Sequence, residues 1–169
     1  MRLTGGHRDT RRRSGGRWRY GVTAAAVAAT AALGAGAAAP DSDWYAALRK
    51  PPWQPPPWAF GAVWTPLYVS LAWSAGHALG ATATRGQRSA LAASLAVNLS
   101  LNAAWTRLFF GRRSPAAGLA CTLLLDLSNA DLLRRTRRVD RAAARTLVPG
   151  AAWRVFATAL NASIVRRNA

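Results

Sequence analysis

The sequence predicts an all-α membrane protein, a bundle of five transmembrane helices with a proline- and tryptophan-rich loop between the first two. Apolar stretches of roughly 20 residues, the length that a helix needs to cross a bilayer, alternate with short arginine clusters. The 23 basic residues, only one of them a lysine, give a net charge of +17. Five of the eight tryptophans and six of the nine prolines lie between residues 44 and 73.

The strongly basic composition has two interpretations. In a soluble domain, this excess of arginine would suggest nucleic-acid binding. Here the arginines cluster between apolar stretches, as expected of the loops of a membrane protein, so we favour a lipid bilayer over nucleic acid as the partner. The single cysteine, Cys121, excludes an intramolecular disulfide and is typical of a small core residue.

The first apolar stretch covers residues 20–40. A secretory signal peptide is the alternative, because a basic segment precedes the stretch and small residues end it. The stretch is longer than a typical signal, and small residues also suit close helix packing in lipid. We therefore predict a first span, preceded by a basic, disordered cytoplasmic tail over residues 1–17. The transmembrane domain then covers residues 18–169.

Four further spans are predicted over residues 60–81, 90–111, 115–133 and 143–165. Counted along this order, fourteen basic side chains fall on the side of the N-terminal tail and six on the other side. Cytoplasmic loops of membrane proteins carry the excess of Lys and Arg. The count predicts a multi-pass protein of the bacterial plasma membrane with a cytoplasmic N-terminus.

The loop between the first two spans contains five prolines between residues 51 and 57. Proline lacks the amide donor and restricts the preceding residue, which excludes a regular helix and leaves a stiff path. An interfacial aromatic belt is one explanation for its rings, but a belt requires no prolines. We predict a rigid aromatic lid over the mouth of the bundle, formed by Trp44, Tyr45, Trp53 and Trp58.

The same stretch carries a resemblance to a known family. The segment "WYAALRKPPWQPPPWAFGAVWTPLY" resembles the signature of the TspO/MBR family, the translocator proteins or peripheral-type benzodiazepine receptors. "LSLNAAWTRLFFGRR" is similar to the family's third helix, "VDRAAARTLVP" to the start of its fifth and "ATALN" to the end of its fifth. Lys50, the only lysine, falls on the family's lysine. The resemblance covers residues 18–168.

The resemblance implies a five-helix bundle, often a homodimer, that binds tetrapyrroles such as protoporphyrin IX or haem under the first loop and requires no cofactor. Porphyrin transport, disposal or stress-linked regulation is the implied role. A flat apolar macrocycle suits aromatic faces, and its propionates suit cations near the rim. Sterol binding through the family's C-terminal pattern is not expected, because "ALNASIVRRNA" lacks the central tyrosine.

The resemblance also implies the ligand-binding residues. The asparagines have an alternative role in interhelical hydrogen bonds. Trp64 and Tyr68 are four residues apart and therefore share one face of the second helix. Asn98, Asn102 and Trp105 recur at intervals of four and three and share one face of the third helix. The candidates are Trp53 in the lid, Trp64 and Tyr68 on the second helix, Asn98, Asn102, Trp105 and Phe109 on the third, and Trp153, Phe156 and Asn161 on the fifth.

Two alternative functions remain open. Some bacterial members of the family degrade porphyrin in light, which makes Trp64 and Trp153 candidate catalytic residues. A scaffold protein whose basic tail binds anionic lipid is the other alternative. His77 has no partner suggested by its spacing and is predicted to be a packed or interfacial residue rather than a haem ligand.

Three departures from the family pattern concern the predicted pocket. Gly150 replaces a tyrosine, Asp126 replaces a tryptophan, and Arg154 lies within the fifth span. Charges inside a membrane are costly and face protein or water. Asp126 or Asp131 could pair with Arg154, Arg154 could meet a propionate, or the aspartates could approach the arginine-rich loop, which we favour for Asp131.

Overall fold

The protein is helical throughout the part of the chain that the structure, a computed structural model, describes: the backbone of residues 8–169 and the side chains of residues 16–169. The all-α prediction is confirmed. Residues 1–7 of the predicted tail lie outside the described residues, and the first helix begins at Arg8, within that tail. The helices are α1 (Arg8–Ala37), α2 (Asp43–Ala47), α3 (Pro57–Ala81), α4 (Arg85–Thr106) with a π-helical turn (Arg107–Gly111), α5 (Pro115–Val139) and α6 (Arg141–Arg167).

The five long helices pack side by side in a closed ring. Each packs mainly against two neighbours, in the order α1, α3, α6, α5, α4 and back to α1, and α3 makes smaller contacts with α4 and α5. Each predicted span matches one of these helices. The short helix α2 was not predicted; Ser42 accepts a hydrogen bond from the amide of Tyr45 at its start, and the prolines that follow prevent its extension.

The arginine-rich segment between the fourth and fifth spans was expected to be a loop, and this expectation was wrong. Helix α5 continues through Arg134–Arg138 to Val139, and Asp140 alone connects it to α6. Arginine is a good helix former and is favoured near the negative end of the helix dipole. Asp140 ends α5 and caps α6, accepting a hydrogen bond from the amide of Ala143 at 3.0 Å.

The ring has a tightly packed half and a half rich in aromatic residues. The first half contains small and aliphatic side chains, among them Ala78 and Ala143, which are fully buried. In the second half, Phe109, Leu160 and Ile164 form a buried cluster with surrounding aromatic rings. The aromatic residues are therefore concentrated in one half of the ring.

The π-helical turn at the end of α4 adjusts the aromatic half. The amide of Arg112 donates to the carbonyl of Arg107 at 2.9 Å, one residue beyond the usual α-helical spacing. Within this turn, the rings of Phe109 and Phe110 both contact Trp44 and Tyr45 of α2 at centroid distances of 5.3–6.4 Å. A straight α-helix would separate these consecutive rings by 100° about the axis.

Two helices are long and apolar enough to cross a membrane by length and composition, α1 over Gly16–Ala37 and α5 over Pro115–Val139. Helices α3, α4 and α6 do not meet that criterion. They nevertheless expose large apolar side chains on the outside of the ring, as α1 and α5 do. These outward residues include Val22, Val69, Val97, Leu127 and Val155, each more than half exposed.

Candidate functional site

The aromatic half of the ring encloses a cavity of about 380 Å³. Its volume lies in the range of small-molecule sites, roughly 300–1,000 Å³. Helices α3 to α6 supply most of its walls, and α2 with its flanking segments closes one end. Six of the ten predicted ligand-binding residues line it: Trp64, Asn102, Trp105, Phe109, Trp153 and Asn161.

One aromatic wall comes from the end of α4 and from the lid. Trp105 stacks on Phe109 with centroids 5.1 Å apart and an interplanar angle of 19°. The indole N–H of Trp105 donates to Oδ1 of Asn161 at 3.3 Å, which fixes the ring against α6. Asn161 in turn donates to the carbonyl of Pro115 at 2.8 Å. This chain of hydrogen bonds joins three helices and holds the wall in place.

A second aromatic group joins the loop to α6. Trp53 meets Phe156 edge-on at 5.7 Å, Phe156 lies 5.0 Å from Trp153, and Trp153 lies 6.2 Å from Phe60. Trp53 and Phe156 therefore lie behind the cavity lining rather than in it. Trp58, predicted in the lid, lies in the first turn of α3, is 74% exposed and is not among the residues that line the cavity.

Two side chains of the loop, Gln54 and Lys50, contact α2 and the residues that follow it. Gln54 donates to the hydroxyl of Tyr45 at 3.2 Å, and burial raises the pKa of that phenol. The Nζ of Lys50 lies 4.4 Å from the Tyr45 ring centroid and donates to the carbonyls of Ala46 and Leu48. Lys50 therefore fastens the loop and does not line the cavity.

The asparagines that share a stripe of α4 have different surroundings. Asn98 is fully buried and donates to Ser128 at 3.3 Å and Asn129 at 2.8 Å, which matches the interhelical role. Asn102 lies one turn further along and lines the cavity. Tyr68, its neighbour on α3, borders a separate cavity of about 30 Å³ that shares Trp64 and Arg154 with the larger one.

Arg154 supplies the cavity with a buried cation. It is 7% exposed, and its guanidinium carbon lies 5.3 Å from the centroid of the Trp64 ring. In the amide orientation that satisfies both neighbours, Oδ1 of Asn102 accepts from Nη2 and Nη1 of Arg154 at 2.9 and 3.1 Å. The Asn102 amide then donates to the hydroxyl of Tyr68 at 3.2 Å.

The two aspartates of α5 take separate roles. Asp131 binds Arg134 and Arg135 at 2.6 Å each and accepts from Ser94 at 2.8 Å, so it belongs to the arginine-rich end of α5, as favoured. Asp126 lines the cavity and accepts from the hydroxyl of Thr158 at 2.8 Å. Among the described residues, neither aspartate forms an ion pair with Arg154.

Two buried polar atoms of cavity-lining residues have no hydrogen-bond partner within residues 16–169: Oε1 of Gln54 and the indole Nε1 of Trp153. Buried polar groups in proteins are nearly always paired, so an unpaired group beside a cavity is a candidate ligand contact. The sequence analysis missed Gln54, together with the lining residues Phe60 and Phe110. Their proximity to the cavity depends on how the helices pack. In the sequence, only their position within or beside the family motifs could have indicated it.

His77 is packed at the opposite, arginine-rich end of the bundle. Its Nε2 lies 3.0 Å from Oδ2 of Asp140, its Nδ1 lies 2.9 Å from the hydroxyl of Tyr20, and its ring stacks on Trp73. The side chain therefore joins α1 and α3 to Asp140, the residue that connects α5 to α6. The described residues contain no group of His, Cys and Asp that could hold a metal ion.

The structure is a helical bundle with apolar side chains on its exterior and a loop-capped aromatic cavity of the size of a small-molecule site. Comparison with known proteins agrees: the model of the TspO/MBR family matches residues 22–167. The chain belongs to the TspO/MBR family, and as the family consists of membrane proteins, it is a membrane protein.

Several curated relatives cover most of the chain. A tryptophan-rich protein TspO of Chlorobaculum tepidum is 35% identical over 76% of this chain and 82% of its own length. Protein CrtK of Rhodobacter capsulatus is 34% identical over 88% of this chain and 90% of its own length. The human translocator protein is 34% identical over 74% of this chain and 75% of its own length. The similarity therefore extends over the helices and the loop that surround the cavity.

Proposed function

We propose that this protein binds a tetrapyrrole, such as protoporphyrin IX or haem, in the cavity beneath the α2 loop, in a role in porphyrin transport, disposal or stress-linked regulation. The cavity carries the proposal, since flat indole and phenyl faces surround an apolar space and a single cation lies within it. Aromatic faces bind planar macrocycles by stacking, and a cation attracts their carboxylates. A tetrapyrrole is large for 380 Å³, so we expect the loop to move outward on binding.

We further propose that all five long helices cross the bacterial plasma membrane, with the N-terminus in the cytoplasm. Exposed apolar side chains on α3, α4 and α6 support this arrangement, as does the excess of arginine at the end of the ring that contains Asp131 and His77. The cavity then lies in the outer half of the bilayer, and its lid faces away from the cytoplasm.

The test is a titration of the purified protein in detergent with protoporphyrin IX, followed by the Soret band and by tryptophan fluorescence. We expect saturable binding that Trp105→Phe and Trp153→Phe each weaken by about threefold, because phenylalanine offers a smaller aromatic face and lacks the indole N–H. Trp18→Phe is the control, because Trp18 is 62% exposed and lies outside the cavity. A folded protein that gives no saturable signal would exclude the proposed function.

Light-dependent degradation of the porphyrin stays a prediction from the family resemblance. Trp64 and Trp153 both line the cavity, from α3 and α6. Binding alone accounts for that placement, so we do not extend the proposal to catalysis. The homodimer and the lipid-binding tail likewise stay predictions.

A further inference from the structure

The guanidinium of Arg154 has no acidic partner in the described part of the chain. The ion pairs closer than 4.0 Å there involve His77, Arg134 and Arg135 instead. Asp126 lines the same cavity, but its carboxylate accepts from Thr158. An arginine 93% removed from solvent in the middle of a helix bundle is normally paired, since an uncompensated buried charge is strongly destabilising.

The donors of Arg154 are only partly used. Guanidinium carries five N–H groups in a planar fork that matches a carboxylate. The Asn102 oxygen accepts one hydrogen bond from each Nη, and the Trp64 face covers the group at 5.3 Å. The remaining N–H groups form no hydrogen bond to the described residues, and the side chain borders the cavity. An anionic ligand group would complete this set of contacts.

The mouth of the cavity is a poor alternative for a carboxylate. Asp41, from the segment between α1 and α2, lines that end with no lining cation assigned to it, whereas the charge of Asp126 is offset by Arg154 in the same cavity. Lys50 is engaged by two carbonyls and the Tyr45 ring and does not reach the cavity lining. Arg154 is the one basic residue among those that line the cavity, so the lining contains no rim cation of the kind that the sequence led us to expect.

We propose that Arg154 is the carboxylate-binding residue of the cavity, so that its ligand enters acid-first, with the carboxylate on Arg154 and the apolar body between the indoles of Trp105 and Trp153. The inference rests on the proposed function, because it names the group of the tetrapyrrole that the site selects. The same chemistry would also accept the carboxylate of a fatty acid.

The test compares protoporphyrin IX with its dimethyl ester, which has the same macrocycle but no carboxylate. Wild-type protein in detergent is expected to bind the acid more tightly by about tenfold or more, the worth of a charge-assisted hydrogen bond. Arg154→Gln should reduce this preference to near unity, Arg154→Lys should keep part of it, and Asp126→Asn should tighten acid binding only. Arg145→Gln on the exposed face of α6 is the matched control.

The outcomes separate the two proposals. Equal affinity of the wild-type protein for acid and ester overturns the role of Arg154, leaves tetrapyrrole binding intact, and needs no variant that could misfold. Binding of neither compound overturns both proposals. Palmitate is the third probe: if it displaces the porphyrin from the wild type but not from Arg154→Gln, the carboxylate subsite stands and also accepts a lipid acid.

Discussion

Individual residues determine how closely the helices approach around the cavity. A Cβ added at Gly118 on α5 would lie 2.7 Å from Cδ2 of Phe109 and 2.9 Å from Oδ1 of Asn161. Gly118 therefore lets the π-helical turn and α6 pack against α5, and both displaced side chains line the cavity. No other residue type leaves that space, so the cavity wall depends on this glycine.

We expect Gly118→Ala to destabilise the protein by about 1–3 kcal/mol, the usual cost of overpacking, and to weaken porphyrin binding by shifting Phe109. The measurement is the thermal unfolding midpoint in detergent, together with the porphyrin titration. Gly61→Ala on α3 is the control, since a Cβ there meets nothing within 4 Å. Equal thermal unfolding midpoints for the two variants would show that Phe109 and Asn161 can move aside without loss of stability, which would contradict the prediction.

Among the structural elements, the loop between α2 and α3 is attached to the far end of the chain. The side chain of Asn168, at the end of α6, donates to the carbonyl of Arg49 and accepts from its amide, both at 3.0 Å. It also donates to the carbonyl of Ile164 at 2.8 Å, which caps α6. The two hydrogen bonds to Arg49 therefore attach the loop to the end of α6, 119 positions away in the sequence.

We expect Asn168→Ala to release the lid and to raise the dissociation rate of bound porphyrin by about fivefold, the worth of two partly exposed hydrogen bonds. Stopped-flow displacement measures that rate. Asn168→Asp keeps the acceptor for the Arg49 amide and should give an intermediate rate. Ser163→Ala, which removes only the exposed contact of Arg167, should behave as the wild type. An unchanged rate in Asn168→Ala would show that the lid does not limit exit.

At the scale of the whole molecule, the ring closes because α1 packs against both α3 and α4. Short connections join α3 to α4 and α5 to α6 at the arginine-rich end, whereas the cavity and its lid occupy the other end. The two ends of the bundle therefore differ in charge and in packing: one end is rich in arginine and the other contains the cavity. In the orientation that we propose from the positive-inside rule, the arginine-rich end faces the cytoplasm.

The proposed orientation predicts which positions a membrane-impermeant maleimide reaches in intact bacteria. In a Cys121→Ser background, Ala169→Cys should be labelled in intact cells. Arg85→Cys, at the start of α4, should react only after lysis. Both positions are exposed, so burial does not limit the reaction, and the native thiol of Cys121 is only 3% exposed. The reverse labelling pattern would invert the topology.

The sequence determined the helices and the loop, because apolar length, proline and capping residues act within a few positions of the chain. The ends of the helices were less predictable. Helix α5 continues through Arg134–Arg138, because arginine is a good helix former even where the helix is exposed. The motif spacing also identified most of the aromatic residues around the cavity.

Tertiary structure decided what these residues meet. Asn98 and Asn102 share a face of α4, yet the first binds α5 in the closed half of the ring and the second borders the cavity, because the packing changes between those two depths. Likewise, nothing local showed that Arg154 would be buried without an acidic partner. That depends on the distance between α5 and α6, a long-range property set by the closure of the ring.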